Sequence, residues 1–193
     1  PKINVQLETA IDPSFRVKQV AGLFDVPLAK KSRLDVSVHV PPTEGNGGDW
    51  RIGAIVGPSG AGKSAVARQW LPGHFIESVH WPDGKAIVDG FHPDIGMAVI
   101  TATLSAVGFS SPPAWVLPYA ALSTGQRMRC DLARALLLPR EVVAFDEFTS
   151  VVDRQVGKAA SMSVAKAVRQ RRVPLERFVA VTCHYDVLDW LEP

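Results

Sequence analysis

A glycine-rich turn that ends in lysine and then serine can hold a phosphate chain together with a divalent cation. Gly57, Pro58, Ser59, Gly60, Ala61, Gly62, Lys63 and Ser64 match that spacing, G-x-x-x-x-G-K-S. Its glycines let backbone N–H groups converge on phosphate oxygens, and the helix that follows adds the positive end of its dipole. Lys63 is expected to reach the β- and γ-phosphates, and the Ser64 hydroxyl to ligate Mg²⁺. Two other apolar runs end in groups that could act on such a ligand. Residues 142–145 run into Asp146-Glu147, and residues 178–183 run into His184. A carboxylate at a strand tip suits Mg²⁺, which takes oxygen ligands and keeps several waters. Glu147, next along, is placed to accept a proton from a water attacking the γ-phosphate. Ser123, with Gly125 and Gln126, opens a helix, which makes it either an N-cap or part of an anion site. Taken singly, each group has a plainer role: a turn, a solvated acid pair, a hydrogen-bonded histidine.

The elements that would position these groups follow from hydrophobic period and breakers. Residues 52–56 form a buried strand before the phosphate loop, and residues 64–71 a short helix stopped by Pro72-Gly73. Ile3, Val5 and Leu7, and then Leu34, Val36 and Val38, alternate as half-buried antiparallel strands. Residues 15–28 are mixed and apolar-rich. Residues 41–48, rich in Pro, Gly and Asn, are a loop. Strands are expected at 75–80 and 86–88 around the turn Pro82-Asp83-Gly84, and a buried helix at 97–107. The helix at 126–138 puts Met128, Leu132, Ala135 and Leu136 on one face, and Pro139 ends it. Strands at 142–145 and 178–183 enclose a helix at 155–171. Strands alternating with helices, with polar groups at strand C-termini, describe an α/β parallel sheet. The N-terminal strands add an antiparallel layer.

The 193 residues fit one domain, 47% hydrophobic and 21% charged, which is enough for a full core. A net charge of +2 argues for neither nucleic acid nor an anionic membrane. No apolar run approaches a membrane span, and no leader is expected from the first residues. Pro1 in place of Met is expected to mark a processed or trimmed start. Cys130 and Cys183 are too few for a disulfide framework and fit a reducing, cytoplasmic setting as inert core thiols. The five tryptophans read as core or interface, and His39, His74, His80 and His92 lack metal-ligand spacing. Arg169-Gln170-Arg171-Arg172 reads as a solvated helix end, favoured by the dipole, or a phosphate contact.

Five stretches now stand in order: the phosphate loop, Leu122-Ser123-Thr124-Gly125-Gln126-Arg127, Val142–Phe145 with Asp146-Glu147, Ser150-Val151-Val152-Asp153, and Thr182-Cys183-His184. Together they resemble the nucleotide-binding domain of ATP-binding-cassette (ABC) ATPases. The second is similar to the LSGGQ signature with Thr124 for a glycine, the third to Walker B, the fourth to the D-loop and the fifth to the switch histidine. Ala133-Arg134-Ala135-Leu136 also matches. The resemblance covers residues 15–190. It implies an α/β P-loop NTPase of ABC type: a mainly parallel sheet flanked by helices, an N-terminal antiparallel β layer and an abbreviated helical subdomain. One domain over 1–193 would then divide into an antiparallel layer at 1–50, a RecA-like core at 51–88 and 140–193, and a signature subdomain at 89–139. The resemblance implies ATP and Mg²⁺ as ligands, Glu147, His184 and Lys63 as catalytic groups, and Ser64 and Asp146 at the metal. It also implies a head-to-tail homodimer in which Ser123, Gly125, Gln126 and Asp153 close on nucleotide held by the other copy. His184 would contact the γ-phosphate and hold Glu147.

The pattern departs from that family in three places. No Gln lies between Gln69 and Gln126, where the family has one at the metal; Asp89 is the candidate substitute, or else the first residue of an Asp-Gly turn. The segment 89–122 is short, which favours a soluble ATPase that drives a partner domain or a nucleic-acid process over a transporter cassette. Phe148 stands where the family has proline, a change expected to matter little. The adenine is expected to stack on Phe24, or failing that Phe15, unless these are core. Residues 15–28 faintly resemble ABC ATPases joined to an acetyltransferase domain, which would make this chain a piece of a longer one.

Overall fold

The computed structural model describes residues 1–29, 31–42 and 50–193. Residues 43–48 of the expected loop lie outside these. Strands β1 (Lys2–Ala10) and β2 (Lys31–His39) pair antiparallel over nine residues, from Lys2 opposite His39 to Ala10 opposite Lys31. The alternation of Ile3, Val5 and Leu7 with Leu34, Val36 and Val38 gives this ribbon one apolar face. That face leans on the phosphate loop. A Cβ at Gly62 would lie 3.1 Å from Val36 Cγ2 and 3.3 Å from Leu34 Cδ2, and Gly62 has φ +81°. Glycine there answers both the close approach and the left-handed backbone. The apolar-rich stretch between the strands is helix α1 (Phe15–Phe24), capped by Ser14, whose hydroxyl accepts from Val17 N, and ended by Asp25 in the left-handed region. None of its residues is buried.

The central sheet contains β3 (Ile52–Val56), β4 (Phe75–Ile76), β5 (Val142–Phe145) and β6 (Arg177–Thr182), all parallel, in the order β3-β6-β5-β4. Both faces are covered, so the strands read as continuous apolar runs. Helix α2 (Lys63–Trp70) buries Val66, Ala67 and Trp70. Helix α5 (Thr124–Leu136) buries Met128, Leu132, Ala135 and Leu136, the face expected from its period. Helix α6 (Arg154–Arg169) joins β5 to its neighbour β6, and α7 (Val187–Leu191) closes the chain. Among the described residues, no helix is long and apolar enough to cross a membrane.

Two expected strands differ. The strand at 75–80 stops at Ile76, and residues 86–88 are not a strand: Ala86 makes an isolated bridge, and Ile87 and Val88 begin a 3₁₀ turn, Ile87–Gly90. The backbone of this segment is engaged elsewhere. Ile87 N donates to Leu117 O at 3.0 Å, and Ala86 forms an isolated bridge with Pro118, which has no N–H to extend a ladder. Trp81 lies so close to Gly90 that any Cβ there would overlap its ring. Trp81 also stacks on Tyr119, with centroids 5.3 Å apart and planes at 10°. Asp131 of α5 accepts from Trp81 Nε1 at 2.6 Å and from the Tyr119 hydroxyl at 2.8 Å. Burial pushes the Asp131 carboxyl above the usual carboxylate range, while the two donors act against it. This cluster ties the chain on either side of α3 (Met97–Ala106) and α4 (Pro112–Trp115) to α5.

Candidate active site

Strands β3, β6 and β5 are neighbours and parallel, so their C-terminal tips meet at one edge of the sheet. The tip of β3 becomes the phosphate loop, that of β5 presents Asp146 and Glu147, and that of β6 leads to His184. This is the edge at which open α/β sheets bind ligands. In the loop, Gly60 and Gly62 both have positive φ. Gly62 is the N-cap of α2 and supplies no side chain to it. Lys63 Nζ donates to Pro58 O at 3.0 Å, a hydrogen bond that holds the amine against the loop it serves.

Ser64 Oγ donates to Asp146 Oδ1 at 3.0 Å, joining the start of α2 to the tip of β5. The two metal candidates are therefore adjacent. Their donors are a hydroxyl and a carboxylate, the hard oxygens that Mg²⁺ prefers, so these residues fit that ion. Among the described residues, no three His, Cys, Asp or Glu side chains gather into a set that could hold a metal. Asp89 thus does not join Asp146 and Glu147 in one cluster; it sits exposed on the 3₁₀ turn.

Beyond Asp146 the backbone is unusual. Glu147 has φ +47° and Thr149 φ +63°, the second a β-branched residue for which the left-handed region is strongly disfavoured. Between them, Phe148 is fully buried, against Phe145 and Phe178 at centroid distances of 6.4 and 5.4 Å. Its N–H donates to Val181 O at 2.9 Å. The substitution expected to matter little is therefore the anchor of this turn. With Phe148 buried, the next residue back, Glu147, faces solvent at the sheet edge.

His184 is half-buried and hydrogen-bonded not to Glu147 but to Arg154, whose Nη1 lies 2.9 Å from His184 Nδ1. Thr149 Oγ1 lies 3.5 Å from the same nitrogen. Asp153 caps α6, its carboxylate accepting from Val156 N at 3.0 Å. Sequence reasoning gave Phe148 too little weight and missed Arg154. The available signals were an aromatic directly after the acid pair and a cation at a helix N-terminus, where the dipole disfavours it.

The signature stretch is a full capping box. Gln126 N donates to Ser123 Oγ at 3.3 Å, and Ser123 N donates to Gln126 Oε1 at 2.9 Å. Both readings of Ser123 are compatible with this, since the hydroxyl is exposed at the start of α5. Val152 of the D-loop stretch stands over Gly125, where a Cβ would lie 3.5 Å from Val152 Cγ1. Phe24 and Phe15 are 73% and 74% exposed on α1, so neither is core. Arg169-Gln170-Arg171-Arg172 is exposed at the end of α6, as a solvated helix end would be, and Arg169 also donates to Leu191 O at 2.7 Å and to Glu192 O at the end of α7.

The phosphate loop, the Ser64–Asp146 contact and the histidine thus stand on adjacent strand tips at one edge of the sheet. The fold is similar to that of ATP-binding cassettes of known structure. No family model matches the chain. An uncharacterized ABC transporter ATP-binding protein of Methanocaldococcus jannaschii is 27% identical over 190 residues, covering 89% of this chain and 34% of the relative. The chain thus spans about a third of the length of that protein. A dimeric ATP-binding cassette in a post-hydrolysis state bound to ADP and Pi superimposes with a TM-score of 0.59 at 16% identity, over 81% of this chain and 83% of the other. A bacterial Atm1-family ABC exporter with ATP bound gives a TM-score of 0.55 at 19% identity, over 80% and 32%. The link to acetyltransferase-joined ATPases gains no support from these relatives.

Phe148→Pro, which installs the proline usual in the ABC ATPases that the sequence resembles, should destabilise this chain. It removes a fully buried ring, worth roughly 3–5 kcal/mol on truncation, and the hydrogen bond to Val181. Chemical denaturation should show the loss, and an unchanged midpoint would mean that the ring is not the anchor of the turn.

Proposed function

We propose that the chain binds ATP and hydrolyses it with Mg²⁺, as an ABC-type cassette that closes head to tail around two nucleotides. The observation that carries this is the 3.0 Å contact between Ser64 Oγ and Asp146 Oδ1 at the mouth of the phosphate loop. Mg²⁺ held by these two oxygens would neutralise charge on the β- and γ-phosphates. The loop N–H groups and Lys63 would cradle the phosphates, with Lys63 exchanging Pro58 O for a phosphate oxygen. Glu147, exposed and next to Asp146, would take the proton of the attacking water. His184 would donate to the γ-phosphate. Ser123, Gly125 and Gln126 would complete the site on the other copy, with Asp153 beside them, and Phe24 would stack on the adenine. Catalysis of this kind is mostly positioning and electrostatics.

The process driven is a further step. The short α3–α4 segment and the lack of a Gln between Gln69 and Gln126 support a soluble cassette coupled to a partner domain or a nucleic-acid process. The relatives' names support a second reading, the nucleotide-binding subunit of a membrane transporter. Co-purification with an integral membrane protein would decide for the second.

Glu147→Gln should keep ATP binding and lose turnover by on the order of 10²-fold or more. Turnover like that of the wild type would remove Glu147 from the base role. With ATP, the Glu147→Gln protein should dimerise, and adding Ser123→Arg should abolish the dimer while leaving monomer affinity nearly intact. Light scattering that shows a monomer at saturating ATP, or a dimer indifferent to Ser123→Arg, would sink the sandwich. Asp89 would act on the metal through water. Asp89→Ala should then raise the Mg²⁺ concentration for half-maximal turnover with little change in nucleotide affinity. A fall in thermal stability alone would make Asp89 a turn residue.

A further inference from the structure

We propose that Arg154 fixes the tautomer of His184, making it the positioning residue for that histidine's contact with phosphate. The inference rests on the role given to His184 above. It begins with a residue in the wrong place. Arg154 is the first residue of α6, where the positive end of the helix dipole disfavours a cation. Its guanidinium does not turn out into solvent. Nε donates to Asp186 Oδ2 at 2.9 Å, and Nη2 pairs with Asp186 Oδ1, a two-pronged grip. The group also lies over the Trp190 ring, 4.8 Å from its centre. So held, Nη1 points at Thr149 Oγ1, at 3.3 Å, and at His184 Nδ1, at 2.9 Å.

Helix α6 is shaped to allow this. Gly157 stands one turn on from Arg154, inside the helix, where glycine weakens it. A Cβ at that position would lie 3.4 Å from Arg154 Nη1 and 3.3 Å from Thr149 Cβ. The glycine therefore leaves room for the guanidinium to cross the first turn toward the histidine. The ion pair is felt at its other end as well: the hydrogen bond from Arg154 holds the Asp186 carboxyl below its usual range.

Arginine has five donors and no acceptor. Nδ1 of His184 must then accept, and the neutral imidazole carries its proton on Nε2. The ring nitrogen free of Arg154 is thus an N–H donor, which is what an anionic phosphate oxygen needs. A histidine without this clamp would divide between two tautomers, one of which offers a lone pair to the phosphate.

The test reads the tautomer directly. Long-range ¹H–¹⁵N spectra of the ¹⁵N-labelled protein without nucleotide resolve the two ring nitrogens, and the His184→Ala spectrum assigns the signal among five histidines. The wild type should show His184 protonated at Nε2. Arg154→Met should shift it to a mixture with a substantial Nδ1–H share. In ATPase assays Arg154→Met should lose about tenfold in kcat with KM for ATP within about twofold, and Arg154→Lys should recover part of it. If Arg154→Met does not fold, Arg154→Gln is read in its place by the same criteria. A wild-type His184 protonated at Nδ1, or an unchanged Nε2–H signal in the variant, would overturn the proposal. Because the spectra need no nucleotide, these failures are distinct from a wild type without ATPase activity, which would overturn the function proposed for the site.

Discussion

Parallel pairing of three adjacent strands is the constraint from which the rest of this molecule follows. Val56 lies opposite Thr182, and Phe145 opposite Ala180, so the three chains leave the sheet at nearly the same level. A one-residue slip in either pairing would turn every side chain of the strand to the other face. Val143, Ala144, Phe178, Val179 and Ala180 are fully buried on both faces, so such a slip would set side chains of one size into space packed around another. Hydrophobic burial thereby sets the spacing between loop, acid pair and histidine. The polar residues contribute little to holding that spacing. They occupy positions that the core has already brought together.

The turn after β5 shows what this arrangement costs. Two consecutive odd positions, Glu147 and Thr149, lie in the left-handed region, each at a cost of roughly 1–3 kcal/mol. Phe148 between them is fully buried, and burying such a ring stabilises by roughly 1.5–3 kcal/mol. The aromatic cluster with Phe145 and Phe178 thus offsets a good part of the strain and keeps Asp146 and Glu147 on the exposed side. Arg154 Nη1 and His184 Nδ1 lie 3.3 and 3.5 Å from Thr149 Oγ1, so the strained turn is also held at Thr149.

Much of this was legible in the chain. The strand at 52–56, the helices near 64–71, 97–107 and 155–171 and the strand at 142–145 were readable because burial there is strong and periodic. The phosphate loop was readable because phosphate binding demands glycine and lysine at fixed offsets. Residues 86–88 misled for a reason of the same kind. Ala86-Ile87-Val88 has strand composition, yet its hydrogen bonds go to Leu117 and its neighbour Gly90 is occupied by the Trp81 ring. That pairing joins residues about thirty apart, and nothing local announces it. Helix α1 was unreadable as a helix because it buries nothing, and without a core face its pattern carries no period. Arg154 was overlooked and Phe148 given too little weight because their importance lies in what they touch across the fold, at Asp186 and Phe178.

The two cysteines occupy opposite chemical situations. Cys130, inside α5, is fully buried, and burial pushes its thiol up to about 12, so it stays protonated and inert. Cys183 is half-buried on the turn that carries His184. The chain is therefore born with a single addressable sulfur, one residue away from the histidine. A small thiol-reactive fluorophore would mark that turn and no other place, with no engineered cysteine and no mutation of the existing ones.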